Sequence, residues 1–120
     1  MSRTFRRDVR LRSRHEFQAV NEHGRRVATR FMVLIGQPNA LDRDRLGIIA
    51  SRRFGNAVMR NRAKRRLREV FRRQEPDVAA ARGHRPLDLV VIPRRDLLKV
   101  SLTVVEAEYR AALRKLRGAT

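Results

Sequence analysis

Residues 52–73 carry ten cationic side chains and one acid, Glu69. The cations are Arg52, Arg53, Arg60, Arg62, Lys64, Arg65, Arg66, Arg68, Arg72 and Arg73. Within this segment one set of apolar residues recurs at helical intervals. Met59, Ala63, Leu67 and Val70 recur at i, i+4, i+8 and i+11 and so share one face of an α-helix. Asn61, Arg65, Arg68 and Arg72 recur at i, i+4, i+7 and i+11 on the opposite face, flanked by Arg62 and Lys64. A helix with a single apolar stripe needs a sheet or another helix to cover it. Met59, Leu67 and Phe71 are therefore expected in a core. Gly55 and Asn56 open the helix, which is expected over 56–73. Asn suits the N-cap, where it can simply cap the helix or leave amides for an anion.

Cations this dense repel one another along a helix. Ten cations against one acid leave +9, half of the formal +18 of the whole chain, in 22 of 120 residues. That concentration marks a surface for a polyanion rather than a diffuse bias. Lysine occurs only at 64, 99 and 115, so the excess is arginine, which suits bidentate phosphate contacts and stacking on bases. Nucleic acid is the first candidate and an anionic membrane surface the second. A membrane surface would favour large aromatics on an apolar face, and the chain has no Trp. No apolar run approaches the ~20 residues of a bilayer span. The basic residues at 1–14 are followed by no apolar segment, so a secretory signal is not expected. The absence of cysteine suits a cytoplasmic protein.

The rest of the chain reads as one domain over 1–120. Residues 1–12 hold Arg3, Arg6, Arg7, Arg10 and Arg12 and are expected to form a flexible basic arm. Ser13 and Glu16 have capping-box spacing ahead of a helix carrying Phe17 and Val20, which Gly24 stops. Strands are expected at 30–36, 45–51 and 87–93. The first two would pair as an antiparallel hairpin. The last two, joined through the basic helix, would lie parallel. Thr103 and Glu106 repeat the capping-box spacing before a helix with Val105, Tyr109, Ala112, Leu113 and Leu116 on one face. The expected class is α+β, an α/β sandwich in the order α-β-β-α-β-α with helices packed on a small central sheet.

Catalytic constellations are missing. His15, His23 and His84 lack metal-ligand spacing, and metal sites on the protein stay open. The acids are scattered, with no pair placed for two-metal phosphodiester chemistry. No phosphate-binding glycine loop is present. The residues describe a chain that binds RNA and does not cut it.

Gly55-Asn56-Ala57-Val58, running into Arg60-Asn61-Arg62, strongly resembles the signature of the protein subunit of bacterial ribonuclease P. The resemblance extends from about Leu11 to the C-terminal helix. It implies a left-handed crossover joining two parallel strands, against the usual hand. It also implies a subunit of a ribonucleoprotein endoribonuclease whose RNA carries cleavage with magnesium ions, with no catalytic residue on the protein. The implied partners are ribonuclease P RNA and precursor tRNA, with no membrane and no protein partner required. By the same resemblance Arg60, Asn61, Arg62, Lys64, Arg65 and Arg68 face the catalytic RNA, and the charge of the segment adds Arg52, Arg53 and Arg72 as RNA-binding candidates. A cleft between the first helix and the sheet would take the 5′ leader of precursor tRNA. Phe17, Asn21, Ile35 and Ser51 map to that cleft. Phe17 either stacks on a base there or packs as core. Charge and size also fit a ribosomal protein or general RNA chaperone. A DNA reader would need base-reading polar residues where this helix carries phosphate-directed arginines.

Overall fold

Ser13 and Glu16 start the first helix as their spacing predicts. Ser13 Oγ accepts from the Glu16 N–H at 3.1 Å, and the Glu16 carboxylate accepts from the Ser13 N–H at 3.0 Å. In this computed structural model, which describes residues 9–118, helix α1 spans Arg14–His23 and ends at Gly24. Strands β1 (Arg25–Ala28), β2 (Met32–Pro38) and β3 (Arg45–Ile48) follow, then helix α2 (Ala57–Arg73), β4 (Leu87–Pro93) and helix α3 (Leu102–Gly118). The class is α+β as expected, but the order is α-β-β-β-α-β-α. The extra strand, β1, reads Arg-Arg-Val-Ala and has no apolar alternation of its own. It is a strand because it pairs antiparallel with β2, from Arg25 opposite Gly36 to Ala28 opposite Val33.

The expected hairpin between the strands now labelled β2 and β3 does not form. The sheet order is β1-β2-β4-β3. β2 runs antiparallel to β4, from Met32 opposite Pro93 to Pro38 opposite Leu87. β3 lies parallel to β4 at the edge, the pairing expected for two strands joined through the basic helix. The physical reason lies in which strands can be buried twice. β2 and β4 carry apolar residues toward both faces and take the two central places. β3, with Arg45 and Gly47, is suited to an edge. β2 also sits two residues later than expected, because Thr29 forms the turn before it. The Thr29 N–H donates to the Met32 carbonyl at 2.8 Å, and Arg30 stays exposed.

One face of the sheet, with Leu34, Leu46, Leu89 and Val91, meets the apolar stripes of α2 and α3. The α2 stripe is Ala63, Leu67, Val70 and Phe71. Met59, expected in the core, is 36% exposed, its side chain lying against Gly55 at the start of α2, and Val58 beside it is exposed as well. The other face carries Ile35 and Val90 beneath Val20 of α1 and Leu11. α1 has only 10 residues and leaves Val33 and Ile92 partly uncovered.

Two further expectations are corrected. Residues 9–12 are docked rather than part of a loose arm. Val9 and Leu11 are buried, and the Leu11 N–H donates to the Leu46 carbonyl at 3.0 Å along the open edge of β3. The remainder of the expected arm, 1–8, lies outside the described residues. At α3, Ser101 rather than Thr103 meets the helix start, accepting from Val104 and Val105 N–H groups. Glu106 instead receives Arg73 and Gln74 from the end of α2.

Candidate nucleic-acid interface

Asn56 caps α2 in the simple way: its Oδ1 accepts from the Met59 N–H at 2.9 Å. The ten cations of 52–73 then divide by what they touch. Arg66 belongs to the scaffold. Its Nη1 donates to the carbonyls of Leu97 at 3.2 Å and Val100 at 2.6 Å, tying α2 to the 3-10 turn Arg95–Lys99. Arg72 and Arg73 share Glu69, whose carboxyl is held below its ordinary range chiefly by the Arg72 hydrogen bond. Arg73 also reaches Glu106 at 3.2 Å. The C-terminal turn of the expected ridge is thus largely neutralised within the protein. Arg60 folds back, its Nη1 donating to the Gly55 carbonyl at 3.2 Å. Arg52 and Arg53 stand exposed in the turn before α2, together with Ser51.

Asn61, Arg62 and Arg65 are exposed, and Arg62, Lys64 and Arg65 make no ion pair among the described residues. With the exposed Arg52 and Arg53, these are cations left to meet an external anion. Lys64 and Arg68 turn toward the β3 edge, where they close a groove of about 200 Å³ with Arg10, Leu11, Phe17 and Gly47. Burial pushes the Arg68 guanidinium down from its ordinary pKa, and the nearby charge of Arg10 pushes the same way. Three cations and one aromatic ring therefore converge on one concavity. Such a site can neutralise a phosphate and offer a ring face to a base.

The groove brings together Phe17, Lys64 and Arg68, which the sequence places 47 and 51 residues apart from the ring. Other expected residues fall elsewhere. Ile35 has 0% exposure beneath α1 and offers no surface to a nucleotide, a correction to its expected place in the cleft. It points inward because its partner across the sheet, Val90, shares the same covered face. Asn21 sits at the far end of α1, accepting from Arg26 Nη2 at 2.7 Å. Sequence reasoning missed Arg10, Leu11 and Gly47. Gly47 did carry a signal, since an isolated glycine inside a strand marks a close approach.

Among the described residues no group of three or more His, Asp or Glu is placed to hold a metal ion. No described helix is long and apolar enough to cross a membrane.

Residues 5–117 match the family model described as Ribonuclease P. The chain is 34% identical over 122 residues to the ribonuclease P protein component of Thermotoga maritima, covering 98% of this chain and 100% of that one. The fold is similar to that of the Staphylococcus aureus RNase P protein, with a TM-score of 0.75 and 28% identity over 91% of this chain and 97% of the other. It is also similar to the solved RNase P protein of Thermotoga maritima, with a TM-score of 0.72 and 32% identity over 90% and 94% of the two chains.

Proposed function

The chain belongs to the ribonuclease P protein family, and on that premise we propose that it binds the catalytic RNA through α2 and the 5′ leader of precursor tRNA through the groove beside Phe17. As a ribonuclease P protein component it is an RNA-binding subunit of an endoribonuclease that acts in tRNA processing. The observation that carries the finer reading is the convergence of Phe17, Lys64, Arg68 and Arg10 on one groove, with Asn61, Arg62 and Arg65 exposed on the same helix.

In this reading the two surfaces act together. Arg62 and Arg65 neutralise phosphates of the catalytic RNA and fix the protein on it. Lys64 and Arg68, at the inner border of the same helix, receive the phosphates of a single strand passing over β3. Phe17 meets a base of that strand. Such a strand lies beside the catalytic RNA because both are held by α2. Positioning of this kind lowers the barrier without any protein group entering the reaction. Cleavage belongs to the RNA, with magnesium held there rather than by protein carboxylates.

Reconstitution with the cognate RNA subunit tests the reading. The protein should lower the magnesium concentration needed for precursor-tRNA cleavage. It should also bind precursor more tightly than mature tRNA when part of the complex. Equal magnesium requirements with and without the protein would sink the proposal. Footprints on ribosomal RNA alone would point to a structural RNA binder instead.

A further inference from the structure

A second basic cavity lies at the other end of α2. It is an open cleft of about 290 Å³, lined by Arg82 and His84 from the segment before β4 and by Arg110, Arg114 and Arg117 of α3. The three α3 arginines fall at i, i+4 and i+7, one stripe of the helix beside its apolar face. The protein neutralises two of the cations itself. Arg82 pairs with Glu75 at 3.2 Å, and Arg117 pairs with the buried Asp44. Arg110 and Arg114 are exposed and make no ion pair among the described residues. They stand four residues apart, where like charges repel, so the helix gains nothing from them in the free protein. Leu113 closes the floor between them.

This cavity is not an extension of the ridge on α2. Gln74 borders it, and Gln74 lies 9 residues beyond Arg65, the nearer of the two exposed ridge arginines. At 1.5 Å per helical residue the separation is about 14 Å along the axis. One phosphate cannot serve both places. The intervening turn, Arg72 and Arg73, is neutralised by Glu69 and Glu106. Two separate electropositive surfaces result, with a neutralised stretch between them.

We propose that the cavity bounded by Arg82, His84, Arg110, Arg114 and Arg117 binds a backbone phosphate of RNA, a second contact independent of the α2 ridge. Arg110 and Arg114 supply the charge and the planar donors. Arg117, held by Asp44, forms the fixed wall of the site, and the His84 ring borders the opening. The ligand assignment rests on the reading of the chain as an RNA-binding subunit. The same chemistry would accept free inorganic phosphate, which the test separates.

The test uses the full chain and the cognate ribonuclease P RNA over a series of salt concentrations. Wild type is compared with Arg110→Gln/Arg114→Gln, with Arg110→Lys/Arg114→Lys, and with Arg62→Gln/Arg65→Gln. Loss of the cavity cations should make the slope of log affinity against log salt shallower by about one. The lysine pair should retain most of the wild-type slope. An unchanged slope for Arg110→Gln/Arg114→Gln, with a reduced one for Arg62→Gln/Arg65→Gln, overturns the second contact and leaves the proposed function standing. If neither glutamine pair changes the slope, both interfaces are wrong. Titration with inorganic phosphate, followed by the ring signals of His84, covers the remaining source. Saturable shifts together with an unchanged RNA slope identify a small-anion site and also overturn the proposal.

Discussion

The ring of Phe17 rests directly on the backbone of β3 at Gly47. A Cβ at position 47 would come within 2.5 Å of Phe17 Cζ and 3.2 Å of Leu11 Cδ1. The strand thus provides the recess that lets α1 bring an aromatic ring down to the edge where Lys64 and Arg68 arrive from the other face. The absence of one side chain sets the depth of the groove.

Gly47→Ala should consequently displace the ring. Overpacking of this kind costs about 1–3 kcal/mol. The expected outcome is a lower midpoint in chemical denaturation together with weaker binding of precursor tRNA. An unchanged midpoint would mean that the ring moves aside freely.

Phe17→Ala should act on the leader rather than on the catalytic RNA. Base–aromatic stacking is worth about 1–3 kcal/mol per base. Affinity of the reconstituted complex for leader-bearing precursor should fall by that amount, while affinity for mature tRNA should not change. Parallel losses for both substrates would assign Phe17 to the core alone.

The arginines of α2 should separate into two groups. Arg62→Ala and Arg65→Ala should each weaken binding of the catalytic RNA and reduce its salt slope by about 0.9, and Arg68→Ala should do the same for leader-bearing precursor by about 0.7. For the exposed Arg62 and Arg65 the change in folding stability should stay within about 0.5 kcal/mol. Arg66→Ala should behave oppositely. It loses charged hydrogen bonds to the Leu97 and Val100 carbonyls, so it should cost about 1.5–3 kcal/mol of stability and leave the salt slope intact. Paired denaturation curves and binding isotherms on the same variants check both halves.

Glu16 links stability to pH. Its pKa is lowered from 4.5 to about 2, first by the N–H groups of Ser13 and Arg12 and then by Arg45. A carboxyl depressed on folding contributes its stability above its unfolded pKa and loses it as pH falls toward the folded value. The contribution is therefore complete above about pH 4.5 and disappears toward about pH 2. Glu16→Gln should cost about 1 kcal/mol at pH 7, the scale of a capping interaction, and the gap from wild type should close across that window. A gap that stays constant from pH 7 to pH 2 would remove Glu16 as its source.

Local patterns were legible along the chain wherever their physics spans one or two helical turns. The Ser13–Glu16 box, the Asn56 cap, the Leu67 and Phe71 stripe and the exposed Arg62 and Arg65 all follow from spacings of three or four residues. β4 was legible at 87–93 because its apolar run is continuous. β1 was not, since a strand of four mostly polar residues is defined by its neighbour. The β2–β3 hairpin was misjudged for a related reason. Proximity in sequence favoured it, whereas burial on both faces gave β2 to β4.

The sequence by itself determined that a cationic, one-sided helix would form and that its partner would be a polyanion. Charge and periodicity are properties of neighbouring residues, and no tertiary contact is needed to express them. Only the tertiary structure decided which cations remain available. Arg66 went to the carbonyls of Leu97 and Val100, Arg73 to Glu106 on α3, and Arg68 with Lys64 to a groove completed by Phe17 and Arg10. Those partners come from distant parts of the chain. Sheet order and the docking of residues 9–12 bring them together, and both are set by burial that no local window contains.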